Sequence, residues 1–153
     1  VFSDFHYCAI KVLARKAGFP PDEAEIVATA SQYTDDATEH KYMEILDVPT
    51  FADHLCGADG RFNPVCTAHK NLQYLAGLKK DAQRKVYIPF HFLPPRRYEG
   101  SGPYNYRVEE GGPLARELVV DAVERLRPGR NGTERLLGLC KLGIASHTFA
   151  DSW

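Results

Sequence analysis

The sequence predicts an all-α fold, a multi-helix orthogonal bundle with one long irregular excursion, on three observations. Apolar residues recur at three- and four-residue spacing near both ends of the chain. Helix start and stop residues bracket those stretches: Asp4, Gly18, Pro20-Pro21-Asp22, Pro113 and Thr133. Between them, Pro and Gly interrupt the chain too often for long regular elements.

Taken in order, Asp4 caps a helix from Phe5 to about Ala17, which Gly18 stops. Pro20-Pro21-Asp22 opens a second helix to about Ala37, with Asp22, Glu23 and Glu25 at its positive end. Residues 38–63 are mixed, broken by Pro49, Gly57 and Gly60. Asn63-Pro64 opens a third helix to about Gly77. The segment RKVYIPFHFLPP is β-branched and aromatic but carries Pro89, so it reads as extended chain and not as a central strand. Residues 96–112 form a long loop rich in Gly, Tyr and Arg. Pro113 starts a helix to about Leu126, and Thr133 caps a last helix that runs to the chain end.

With 153 residues, the chain is read as a single helical domain, residues 1–153. The last helical pattern reaches Trp153 with no stop signal, so the expectation is an N-terminal fragment of a longer chain. Nineteen Lys+Arg against 20 Asp+Glu leave a net charge of -1, which supplies no general attraction for nucleic acid or an anionic membrane. No apolar run approaches the roughly 18 residues of a membrane span, and no signal peptide is visible. A soluble protein with no stable nucleic-acid partner is therefore expected. Cys8, Cys56, Cys66 and Cys140 have no CxxC spacing. Cys56 and Cys66 could pair, while Cys8 and Cys140 read as buried thiols.

Helical periodicity then singles out ionisable residues on apolar faces. On the last helix the stripe Leu136, Cys140, Ile144 continues as His147 and Asp151. A His and an Asp four apart stand one above the other, a compact metal platform. On spacing alone, a His–Asp hydrogen bond in the core is the more ordinary reading. His6 shares a stripe with Ile10, Leu13 and Ala17, and Asp35 ends the small-residue stripe Ala24, Val27, Ala28, Ser31. Each also has a plain reading, as a satisfied core histidine and a helix-end aspartate. Asp36 and His40 make a second pair at the same spacing, which reads as solvated helix end. Strand alternation sets His91 opposite Phe90 and Phe92, where it marks either a solvent face or a site. Burying these groups separately costs several kcal/mol each, whereas one shared cation satisfies them together. Mixed Asp and His ligands suit zinc, or another divalent metal.

The order His6, Asp35, His91 in PFHFLPP and His147-x-x-x-Asp151 in LGIASHTFADSW resembles the zinc-dependent phospholipase C and single-strand-specific nuclease superfamily. The phrases DFHY, ASQYTDDATEH and VYIPFHF look closer still to an uncharacterised bacterial branch, a family of unknown function. The resemblance implies an all-α fold with up to three clustered metals. It implies that Asp35, His91, His147 and Asp151 hold one metal. His6 and the second Asp151 oxygen would contribute to another, together with the amino group and carbonyl of Val1. Third-metal ligands would lie downstream of Trp153. The implied activity is hydrolysis of a phosphoester substrate, using one to three zinc ions. Arg96, Arg97 and Arg107, set among tyrosines, are the residues offered for substrate phosphate, although a solvated loop has the same composition. The rival from another class is a non-catalytic helical fragment with at most one structural metal. HD-type phosphohydrolases are disfavoured because no His-Asp dipeptide occurs.

Overall fold

A computed structural model describes residues 3–39, 41–44, 56–57, 59–69, 83–95, 108–127 and 132–153. The described chain is mainly helical, as its periodicity predicts. A π-helical stretch, Asp4–Ala9, runs without a break into α1 (Ile10–Lys16). Then follow α2 (Pro21–Asp36), β1 (Met43–Glu44) and β2 (Arg61–Phe62). A second π-helical stretch, Gln83–Tyr87, leads into the single turn α3 (Ile88–Phe90), and α4 (Pro113–Glu124) and α5 (Gly132–Ala150) complete the fold. The two strands form an antiparallel pair with Met43 opposite Phe62 and Glu44 opposite Arg61.

α2 and α5 form the principal interface, flanked by α1 on α2 and α4 on α5. Small residues allow the close approach. Ala24, Ala28 and Ser31 are fully buried on α2, and Gly143 of α5 lies against Val27, Ala30 and Ser31. A β-carbon on Gly143 would meet the Val27 carbonyl oxygen and lie 2.7 Å from Ala30 Cβ. Beside this seam Ile10, Val27, Ala122, Leu139, Leu142 and Ala145 make the apolar core, where burial stabilises by about 25 cal/mol per Å². Arg135 grips Glu23 through both carboxylate oxygens and ties the first turns of α5 and α2 together. The two helices thus start together, and their later turns also meet.

Several expectations are corrected. RKVYIPFHFLPP is helical from Arg84 to Phe90, because Pro89 falls in the first turn of α3, where no backbone donor is needed. Residues 63–69 are irregular, since Thr67 and Ala68 spend their N–H groups on the Ala37 carbonyl; residues 70–77 lie outside the described residues. The α1 stripe is His6, Ile10, Ala14, with Leu13 59% exposed. The opening π-helical turns are wider than 3.6 residues and rotate the buried face away from the α-helical count. On α5 the buried face runs through Leu139, Gly143 and His147, and Ile144 is 39% exposed. The α5 helix closes at Ala150, leaving Asp151 in the following turn. Asp4 and Thr133 lie inside their helices, so neither is the capping residue. Cys8 is exposed, Cys140 is half-buried, and Cys56 and Cys66 are unpaired.

Candidate metal centre

Four elements bring five ionisable side chains to one point. His6 comes from the π-helical start, where its ring is 1% exposed. Asp35 comes from the last turn of α2, at four-residue spacing from Val27 and Ser31. His147 is wholly buried on α5, and Asp151 follows it by four in the closing turn. His91 follows α3 directly, its backbone N–H bonded to the Tyr87 carbonyl at 2.8 Å. Thr148 fixes that corner by donating its hydroxyl to the Phe90 carbonyl at 2.6 Å. His91 therefore faces inward while Phe92 is exposed, the reverse of the solvent-face reading.

The Asp151 carboxylate stands at the centre. Its Oδ2 is 2.8 Å from His91 Nδ1 and 3.1 Å from His147 Nε2, and its Oδ1 is 3.2 Å from His6 Nε2. His147 Nε2 and His91 Nδ1 approach to 3.0 Å. Asp35 Oδ1 lies 3.7 Å from His147 Nε2 and 3.9 Å from His91 Nδ1. The rings of His6 and His147 stack with centroids 3.9 Å apart. Ligand atoms of His6, Asp35 and His147 lie within 4.8 Å of one another, and so do those of His91, His147 and Asp151.

The electrostatics follow from this crowding. Burial alone would raise the Asp151 carboxyl, but His147, His6 and His91 more than reverse that and hold it far below the usual carboxylate range. Burial alone would lower His91, yet the Asp151 carboxylate, the Thr67 carbonyl and the charge of Asp35 together raise it. Six buried polar atoms have no hydrogen-bond partner among the described residues. Three of them belong to the cluster: His6 Nδ1, His147 Nδ1 and Asp35 Oδ2. Imidazole nitrogens and carboxylate oxygens are atoms that could also ligate a divalent cation.

All five residues offered as metal ligands from the sequence thus converge. Arg96, Arg97, Arg107, His40, His54 and Val1 lie outside the described residues. Asp36 stays on the exposed face, where Gln32 donates to it at 3.3 Å. One participant had no signal in the sequence. Thr67 enters through its main-chain carbonyl, 2.9 Å from His91 Nε2, and no side-chain pattern reports a carbonyl.

The class defined by these observations is a helical protein with a buried His/Asp cluster between α2 and α5. The chain belongs to DUF6765, a family of unknown function whose profile matches residues 2–153. No curated protein and no solved structure matches the chain. Among the described residues, no helix is long and apolar enough to cross a membrane.

Proposed function

We propose that this chain is a metal-dependent hydrolase of phosphoester bonds, related in architecture to the zinc-dependent phospholipase C and single-strand-specific nuclease superfamily. One observation carries the reading: three imidazoles and two carboxylates from four elements converge, and several of their buried polar atoms have no hydrogen-bond partner among the described residues. Zinc is the first choice of cation, because neutral imidazole and carboxylate oxygen are its usual donors. His91 Nδ1, His147 Nε2, Asp151 Oδ2 and Asp35 Oδ1 would hold one cation. His6 Nε2 and Asp151 Oδ1 form the edge of a second position. A bound divalent cation supplies Lewis acidity toward a phosphoryl oxygen and acidifies water. For its part, Asp35 keeps a second oxygen, Oδ2, without a hydrogen-bond partner among the described residues. Asp151 holds the three imidazoles in fixed orientation, so no reorganisation is needed during reaction.

A second reading, a structural metal with no catalysis, is favoured by one observation: His6, His91 and His147 are all at most 5% exposed. Elemental analysis of chain purified without chelator tests both readings, together with hydrolysis of bis(p-nitrophenyl) phosphate and p-nitrophenyl phosphate. Two or more zinc ions, with turnover abolished in His147→Ala, supports the hydrolase. One metal without turnover supports the structural site. No metal would sink both and leave a hydrogen-bonded core.

A further inference from the structure

Helix α2 ends with carbonyls that no later turn of the helix can satisfy. The chain at residues 67 and 68 takes up that role. Thr67 Oγ1 donates to the Thr34 carbonyl at 2.6 Å, and Thr67 N–H donates to the Ala37 carbonyl at 2.9 Å. Ala68 N–H reaches the same Ala37 carbonyl at 3.3 Å. Both ends of the Thr67 residue are thereby tied to the last turn of α2, and Thr67 is itself buried. Its carbonyl is what remains, and it stands 2.9 Å from His91 Nε2.

We propose that Thr67 is the positioning residue for His91, its carbonyl holding the imidazole with Nε2–H outward and Nδ1 toward the carboxylates. A carbonyl only accepts, so Nε2 must be the donor in this contact. Nδ1 is then the nitrogen presented to Asp151 at 2.8 Å and to His147 at 3.0 Å. Metal-ligating histidines are characteristically oriented by such a bond from the other ring nitrogen. The end of α2 accordingly sets two ligands at once. It carries Asp35 directly and aims His91 through Thr67, so a shift of that helix end moves both. The hydrogen bond stands on the structure alone; its effect on metal affinity rests on the metal-centre reading proposed above.

The test compares Thr67→Val, which keeps the shape and loses the hydroxyl, with Thr67→Ser, which keeps the donor. Zinc affinity, measured by competition with a chromophoric chelator, should fall about 10- to 100-fold in Thr67→Val. Thr67→Ser should stay within about three-fold of wild type, since the same hydroxyl bond is retained. A second readout needs no metal and no variant. In the wild-type chain, proton–nitrogen correlation should show a slowly exchanging, hydrogen-bonded His91 Nε2–H. That signal should persist in Thr67→Ser and exchange freely in Thr67→Val. Absence of the proton in wild type overturns the proposal, even if Thr67→Val does not fold. So does a Thr67→Val chain that folds and keeps both the proton and full zinc affinity. A wild type that shows the proton and binds no zinc upholds the positioning contact and defeats the metal-centre reading instead.

Discussion

Gly143 of α5 sits against the Val27 carbonyl of α2 so closely that a β-carbon has no room between them. The same β-carbon would stand 2.9 Å from the Ser31 nitrogen. Two of the three obstructing atoms are backbone, which cannot swing aside as a flexible side chain does. From this contact both helices run toward the cluster at four-residue steps: Val27, Ser31, Asp35 on one, and Gly143, His147, Asp151 across the end of the other. The helix separation at Gly143 thus sets the spacing between Asp35 and His147. Gly143→Ala should destabilise the chain by about 1–3 kcal/mol through overpacking. It should also weaken zinc binding about ten-fold by moving the two ligands apart. Urea denaturation and zinc titration of one sample read both effects. An unchanged midpoint with unchanged affinity would show that the seam tolerates a methyl group.

Removing Asp151 takes away the carboxylate nearest to all three buried imidazoles and leaves only the more distant Asp35 beside His91 and His147. Asp151→Asn, close in shape, should cost the metal-free chain roughly 3 kcal/mol and abolish zinc uptake. His147→Ala should lower metal content and stability together. His69→Ala is the control: its ring nitrogen is 3.1 Å from the Ala68 carbonyl and it belongs to neither ligand group, so metal content should not change. Full metal stoichiometry in both cluster variants would mean that the ligands lie elsewhere.

The metal-free chain should be most stable in mildly acidic solution. The Asp151 carboxyl is lowered in the fold, so its contribution is present above the ordinary carboxylate pKa of about 3.9 and is lost as pH falls through the lowered value. His91 is raised, so its contribution is complete below about 6.5 and is lost as pH rises through the raised value. Together these give a plateau between about pH 4 and 6.5, with a decline on the alkaline side. Zinc requires deprotonated imidazoles, so the stabilisation it adds should grow over the range where the metal-free chain weakens. Thermal unfolding midpoints from pH 4 to 9, with chelator and with zinc, check this. A metal-free midpoint that climbs steadily to pH 9 would contradict the assigned protonation of His91.

Thiol reactivity should separate the cysteines. All four are free; Cys8 is exposed, whereas burial raises the Cys66 and Cys140 thiols. An aromatic disulfide reagent at pH 8 should therefore modify Cys8 first and Cys66 and Cys140 slowly, because the thiolate is the reacting form. Peptide mapping after partial labelling gives the order. Faster reaction at Cys140 than at Cys8 would contradict the packing of α5.

Much of the site was legible from helical spacing, because spacing along a helix is local geometry. Ser31 and Asp35, or His147 and Asp151, share a face wherever the helix goes. The same rule misplaced Leu13, since it counts 3.6 residues per turn and the chain opens in wider π-helical turns. It misread His91 because apolar composition cannot separate an extended segment from a short helix, and Pro89 is compatible with the first turn of a helix as well as with extended chain.

By itself the sequence determined a mainly helical chain, four of the five helices it predicts and the ionisable residues set on their inward faces. Only the tertiary structure decided that His6 and Asp151, 145 positions apart in numbering, would meet at 3.2 Å. It also decided which face α5 buries, with Gly143 packed directly against the backbone of α2. The Thr67 carbonyl belongs to the same category. Every residue carries a carbonyl, and only the packing of residues 67 and 68 on the end of α2 aims this one at His91.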